Sequence, residues 1–163
     1  MPTTLSRPSI RSRTQSSSVD LVKAKITPRT IKPKGHTRAA PLKPNFDFSS
    51  YPVLDIKLGL KNMSGNKSLF IDICKVMKEE EIPTEKAAFV AAYTQKDWRE
   101  IGQLAHKMRG GALYAGMTKM ENICQLMEQS HQAGQTDALD QLYQIIMRVF
   151  DETEAALVEW LAM

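Results

Sequence analysis

The sequence predicts an all-α protein: an up-and-down antiparallel four-helix bundle with an extra short N-terminal helix, preceded by a disordered basic tail. Three observations predict it. From about Leu54 onward apolar residues recur at helical spacing, and no run alternates like a strand. The breaks between helical runs are short, which makes successive helices antiparallel neighbours. Residues 1–45 hold ten Lys/Arg against one acid, Asp20, with six of the eight prolines and no sustained apolar period. A segment of that composition cannot bury enough surface to offset its ordering entropy.

The elements follow in order. A short helical run spans Leu54 to Lys61 and ends at Met63-Ser64-Gly65-Asn66. A helix from about Lys67 to Glu80 carries Leu69, Phe70, Ile73, Val76 and Met77 on one side. Pro83 interrupts it, so a new helix or a kinked continuation is expected from Thr84 to Thr94. Asp97 with Glu100 reads as a capping box opening a helix that stops at Gly116. Thr118 with Glu121 reads as a second box, opening a helix that stops at Gly134. The last helix runs from about Asp137 to Leu161, with Leu139, Leu142, Ile145, Ile146, Val149, Ala156, Leu157 and Trp160 as its stripe. None of these helices is long enough to be stable alone, so a shared core must hold them.

Composition narrows the function. No stretch reaches the roughly 18 apolar residues of a membrane span, and no secretory signal pattern follows the N-terminus. Cys74 and Cys124 read as reduced, buried thiols of a cytoplasmic protein. There is no CxxC, and His36, His106 and His131 show no ligand spacing, so no metal site is expected. The net charge of +4 divides unevenly, near +9 for residues 1–45 and near −5 for the rest. The expected organisation is therefore a basic tail over 1–47 and a bundle over 48–163. The tail reads as a solvated linker, as a contact for an anionic surface, or as a transit peptide, although its prolines argue against the last. No aromatic residue interleaves with its cations before Phe46, which argues against single-stranded nucleic acid.

One histidine stands apart. With Ile101 set at zero and about 100° per residue, Trp98, Leu104, Ala105, Met108, Ala112 and Ala115 fall within about 60° of it, while His106 falls near 140°. Gly102 lies one turn before His106 and Gly110 one turn after it. Mid-helix glycine costs about 1 kcal/mol relative to alanine, so such glycines should bring a gain. Clearance over the imidazole at Gly110 is one. Arg109 places a guanidinium beside His106, suited to phosphoryl oxygens, Lys107 adds positive charge, and Leu113 offers an apolar contact. An ordinary exposed histidine on a poor helix is the competing reading. General-base catalysis lacks support, because no nucleophile is paired with His106 by local spacing and no carboxylate lies one turn away.

The stretch Ala105-His106-Lys107-Met108-Arg109-Gly110, then Gly116, Cys124 and Leu126-Met127-Glu128, resembles the signature of histidine-containing phosphotransfer (HPt) domains. The run from Tyr114 to Gln129 is most similar to the C-terminal HPt domain of BarA/GacS-type hybrid sensor kinases. The resemblance covers about residues 50–162 and implies that His106 is the phosphoacceptor and that Gly110 keeps its approach open. Arg109 stands where the family most often has lysine. Gly116, Cys124 and Glu128 are expected to be structural, and His131 to pack or cap. The implied function is a phosphoryl carrier with no autokinase domain, taking phosphate from the phospho-aspartate of one receiver and passing it to another. The implied partners are receiver domains of hybrid sensor kinases or response regulators. A monomer with no cofactor of its own is expected, with Mg²⁺ on the receiver. The chain has no room for a kinase or sensor domain, so it reads as a free-standing shuttle or a detached part of a hybrid kinase system. A helical adaptor that binds an anionic partner through the basic tail, without phosphate chemistry, is the alternative.

Overall fold

The computed structural model describes residues 45–163, and the expectations for the basic tail over residues 1–44 lie outside them. Among the described residues every regular element is a helix: α1 (Ile56–Asn62), α2 (Lys67–Val76), α3 (Ile82–Thr94), α4 (Trp98–Ala115), α5 (Thr118–Gln132) and α6 (Thr136–Ala162). Short polar side chains start the first helices. Asp55 accepts from the Leu58 N–H at 3.0 Å and Asn66 from the Leu69 N–H at 3.0 Å.

Of the two outcomes expected at Pro83, a new helix or a continuation of the old one, the chain takes the continuation, through a widened turn. Residues Met77–Glu81 form one π turn that joins α2 to α3 without a gap. The Ile82 N–H reaches back five residues to the Met77 carbonyl. Proline brings no N–H, and its ring presses on the carbonyl four residues before it, so one widened turn accommodates both. The result is a single long helix from Lys67 to Thr94 that packs antiparallel to α4.

Asp97 caps α4 by accepting from the Glu100 N–H at 3.0 Å. The reciprocal half of that box is absent, because the Asp97 N–H donates to the Ala92 carbonyl. Gly116 ends α4 in the left-handed region, at φ 72°. A Cβ there would lie 2.3 Å from the Asp55 carbonyl oxygen, so only glycine fits. The second expected box does not form. Met117, fully buried, is the residue before α5, and Thr118 is already its first helical residue. The Thr118 hydroxyl bonds weakly to the Gly116 carbonyl at 3.5 Å. The chain before α1 takes over instead: the Pro52 carbonyl accepts from Lys119 N–H at 3.0 Å, and the Asp55 N–H donates to Gly116 at 2.7 Å.

The long helix, α4, α5 and α6 make the four-helix bundle, each packing on the next and α6 closing against α2 and α3. The α4 core face is as the spacing predicts: Ile101, Leu104, Ala105, Met108, Ala112 and Ala115 are buried and Trp98 packs at the edge. The stripe of α6 is wider than expected. Tyr143, Phe150 and Thr153 are buried as well, and the Thr153 hydroxyl is satisfied by the Val149 carbonyl at 2.6 Å. Phe70 meets Trp160 at 5.0 Å and Phe89 meets Phe150 at 5.7 Å between ring centres, which ties the long helix to α6. No described helix is long and apolar enough to cross a membrane.

Candidate functional site around His106

His106 sits on the solvent side of α4 with its side chain 79% exposed, while Ala105 and Met108 on either side are buried. The α4–α5 packing brings Glu128 to it. The His106 Nδ1 lies 3.2 Å from a carboxylate oxygen of Glu128, whose side chain is only 12% exposed. Arg109 donates from one guanidinium nitrogen to both oxygens of the same carboxylate, at 3.1 and 3.2 Å. His106, Arg109 and Glu128 therefore form one connected group, with the acid as its inner member. Ionised carboxylates only accept hydrogen bonds, so the contact casts Nδ1 as the donor, and in the neutral imidazole the lone pair is then on Nε2.

The two glycines flanking His106 do different things. A Cβ at Gly110 would meet none of the described residues within 4 Å, so that turn is open above the backbone. A Cβ at Gly102 would lie 2.5 Å from the His131 ring, which covers it. Gly102 therefore serves close approach of α5, and His131 packs, as expected of it. Gly102, Gln103, His106, Glu128, His131 and Gln132 line a groove of about 230 Å³. Gly111 faces inward, with the Met77 methyl 3.6 Å from where its Cβ would be.

Lys107 turns to the other flank. Its ammonium pairs with the carboxylate of Glu85 on α3, whose side chain is 3% exposed. That hydrogen bond and charge hold the Lys107 pKa above its ordinary value. The second Glu85 oxygen is buried with no hydrogen-bond partner among the described residues. Lys107 thus fastens α4 to α3, while Arg109 and His106 fasten it to α5. Leu113 and Tyr114 are exposed about two turns beyond His106, and the Leu113 carbonyl accepts from the Asn62 side chain at 2.8 Å. Cys124 is buried behind the site, and desolvation, then the nearby Glu128 charge, pushes its thiol pKa far up. Such a thiol is a packing group rather than a nucleophile. Among the described residues no cluster of His, Cys, Asp and Glu is placed to hold a metal ion.

A family model described as the Hpt domain matches residues 77–159, just over half of the chain. The chain belongs to the Hpt domain family. The match begins at the π turn and takes in α3, α4, α5 and nearly all of α6, so the whole group around His106 lies inside it. Hpt domains act in phosphotransfer within two-component signalling and meet receiver domains there. No curated protein and no solved structure matches the chain.

Of the residues singled out from the sequence, His106, Gly110 and Leu113 lie on the exposed side of α4, and Arg109 and Lys107 lie to either flank of it. Sequence reasoning missed Glu128 as a partner of the histidine. It looked for a carboxylate one turn away on the same helix, and the acid comes from the neighbouring one, 22 residues later. The only signal was its position near the α4-facing side of α5.

Proposed function

We propose that His106 is the phosphoryl carrier of this Hpt domain, accepting the group from the aspartyl phosphate of one receiver and passing it to another. One observation carries the reading: an exposed imidazole whose Nδ1 is held by an inward carboxylate, beside a helix turn left bare at Gly110. With Nδ1 protonated, the Nε2 lone pair attacks phosphorus. The N–P bond forms as the bond from phosphorus to the aspartyl oxygen breaks, and the aspartate leaves as a carboxylate. The product ring bears a positive charge, which the Glu128 carboxylate neutralises without moving. On donation the same ring leaves as neutral imidazole, still protonated at Nδ1. Glu128 therefore serves both directions.

Arg109 is shared with Glu128 but retains guanidinium donors for phosphoryl oxygens. Lys107, tied to Glu85, contributes a charge at fixed distance. Leu113 forms the apolar contact of the docking face. Mg²⁺ belongs on the receiver, where it neutralises the transferring group. The reading places the protein with cytoplasmic receivers of hybrid sensor kinases or response regulators. The finer likeness to BarA/GacS-type HPt domains rests on the residues quoted for it.

The test is incubation of the full chain with a phosphorylated receiver domain. A single acid-labile, alkali-stable phosphate mapping to His106 is the expected result. No phosphate uptake from any receiver would sink the reading and leave the phosphate-independent adaptor.

A further inference from the structure

We infer that Arg109 is a positioning residue: it acts on His106 through Glu128, by holding that carboxylate against Nδ1 and so setting which ring nitrogen offers its lone pair. The inference rests on the proposed function and adds what keeps the imidazole in the tautomer that the reaction needs. Glu128 reaches His106 from another helix, across the packing of α4 on α5. Its side chain is only 12% exposed, and Cys124, one turn before it on α5, is fully buried. A carboxylate so withdrawn from water is costly unless a cation accompanies it. The neutral imidazole is a donor but carries no charge. Among the described residues, the side chains that bond to Glu128 are those of His106 and Arg109, so the charge comes from Arg109.

Register on α4 places Arg109 for this. It follows His106 by three residues, which makes the two side chains neighbours on one side of the helix. One guanidinium nitrogen donates to both oxygens of Glu128, at 3.1 and 3.2 Å. The nearer of these, Oε2, is also the oxygen 3.2 Å from the His106 Nδ1. Arg109 thus grips the carboxylate at both oxygens and fixes its rotation with one of them against the imidazole. With Arg109 removed, the inward charge keeps as partner only a neutral ring that is itself 79% exposed. The carboxylate then gains by turning out to water, and Nδ1 loses its acceptor. A ring so released populates both tautomers, and only the fraction protonated at Nδ1 has its lone pair on Nε2. Lys107 cannot take over, because its ammonium is bonded to Glu85 on the opposite flank.

The experiment uses the full chain, isotope-labelled at its histidine nitrogens, and reads the tautomer from the NMR shifts of the two ring nitrogens. The His106 pair is identified by its loss in His106→Gln. At a pH where titration shows the ring neutral, the unaltered chain should have Nδ1 protonated and Nε2 bare. Arg109→Gln should move the pair toward a mixture of tautomers, and Arg109→Lys should restore most of the original pattern, because it restores the charge. Transfer from a phosphorylated receiver domain should slow about fivefold in Arg109→Gln. Adding Glu128→Gln to it should cost no more than about a further twofold, because the two side chains act as one unit. That double variant removes the buried charge together with its partner, so its transfer rate is free of any instability from a stranded acid. An unshifted tautomer in Arg109→Gln, a lysine variant that behaves like the glutamine one, or losses that multiply in the double variant would each overturn the inference. No phosphate uptake by the unaltered chain, with the tautomer shift present, would overturn the carrier reading while the hold of Arg109 on Nδ1 stands.

Discussion

The turn of α4 before His106 and the turn after it each carry a glycine, and the structure uses them oppositely. Gly102 is buried under the His131 ring, and a side chain there would collide with α5. Gly110 is exposed, and a Cβ there would meet none of the described residues within 4 Å. One glycine lets two helices of the same chain close together, and the other leaves open space one turn beyond His106. A glycine's cost to helix stability is the same in both places, so its purpose is legible only from what surrounds it.

The largest effect is expected at the covered position. Gly102→Leu should destabilise the fold by about 1–3 kcal/mol through overpacking, measured by urea unfolding. Adding His131→Ala should recover a good part of that loss, because the two side chains compete for one space. Unchanged stability in the single variant would break the contrast between the turns. Gly110→Leu should do the reverse. Its stability should hold or rise, by up to about 1 kcal/mol, since leucine is the better helix former. Transfer to and from the receiver should slow about tenfold or more, equivalent to about 1.4 kcal/mol. An unchanged rate would remove the clearance argument.

A smaller effect sharpens the contrast between the two flanks. Glu128→Gln keeps an acceptor beside Nδ1 but removes the charge that neutralises the phosphorylated ring. Transfer should fall roughly fivefold, equivalent to about 1 kcal/mol, and the unfolding midpoint should fall less than in Lys107→Met, because the amide oxygen still accepts from Arg109. Lys107→Met should show the opposite pattern, a lowered midpoint with transfer nearly intact, because it strands the buried Glu85 carboxylate. Either variant behaving like the other would mean the flanks are not distinct.

The smallest effect near neutral pH concerns the thiols behind both flanks. Burial pushes the Cys74 pKa up to about 11 and moves Cys124 in the same direction. In the unfolded chain both ionise near their ordinary value, about 8.5. Above that pH the unfolded state has released protons that the folded state still holds, so stability should fall as pH rises past about 9. Below it the thiols contribute no pH dependence. Unfolding followed from about pH 7 to 10, against a Cys74→Ala, Cys124→Ala double variant, reads the difference.

Much of this was legible in the sequence wherever a feature is local. The α4 core face follows from 3.6-residue spacing, and His106 is placed outside it by the same count. Gly116 as the stop of α4 follows from chain chemistry alone. What was not legible depends on register between helices. The Glu128–His106 contact, the Glu85–Lys107 pair and the His131–Gly102 contact each span at least 22 residues and need the helices already packed. The start of α5 belongs to the same class. A threonine with a glutamate three residues on looks like a box, yet the Pro52 carbonyl reaches in from another part of the chain and supplies a backbone partner instead. The π turn arises where the long helix must continue through a proline to keep both its halves on the core.

The central claim is that His106 alone takes the phosphate. Its most direct test is His106→Gln in the full chain, incubated with a phosphorylated receiver that labels the unaltered protein. Helix content by circular dichroism should be unchanged, since an exposed polar side chain replaces another, and phosphate uptake should disappear. Persistent phosphohistidine in that variant, at His36 or His131, would contradict the account.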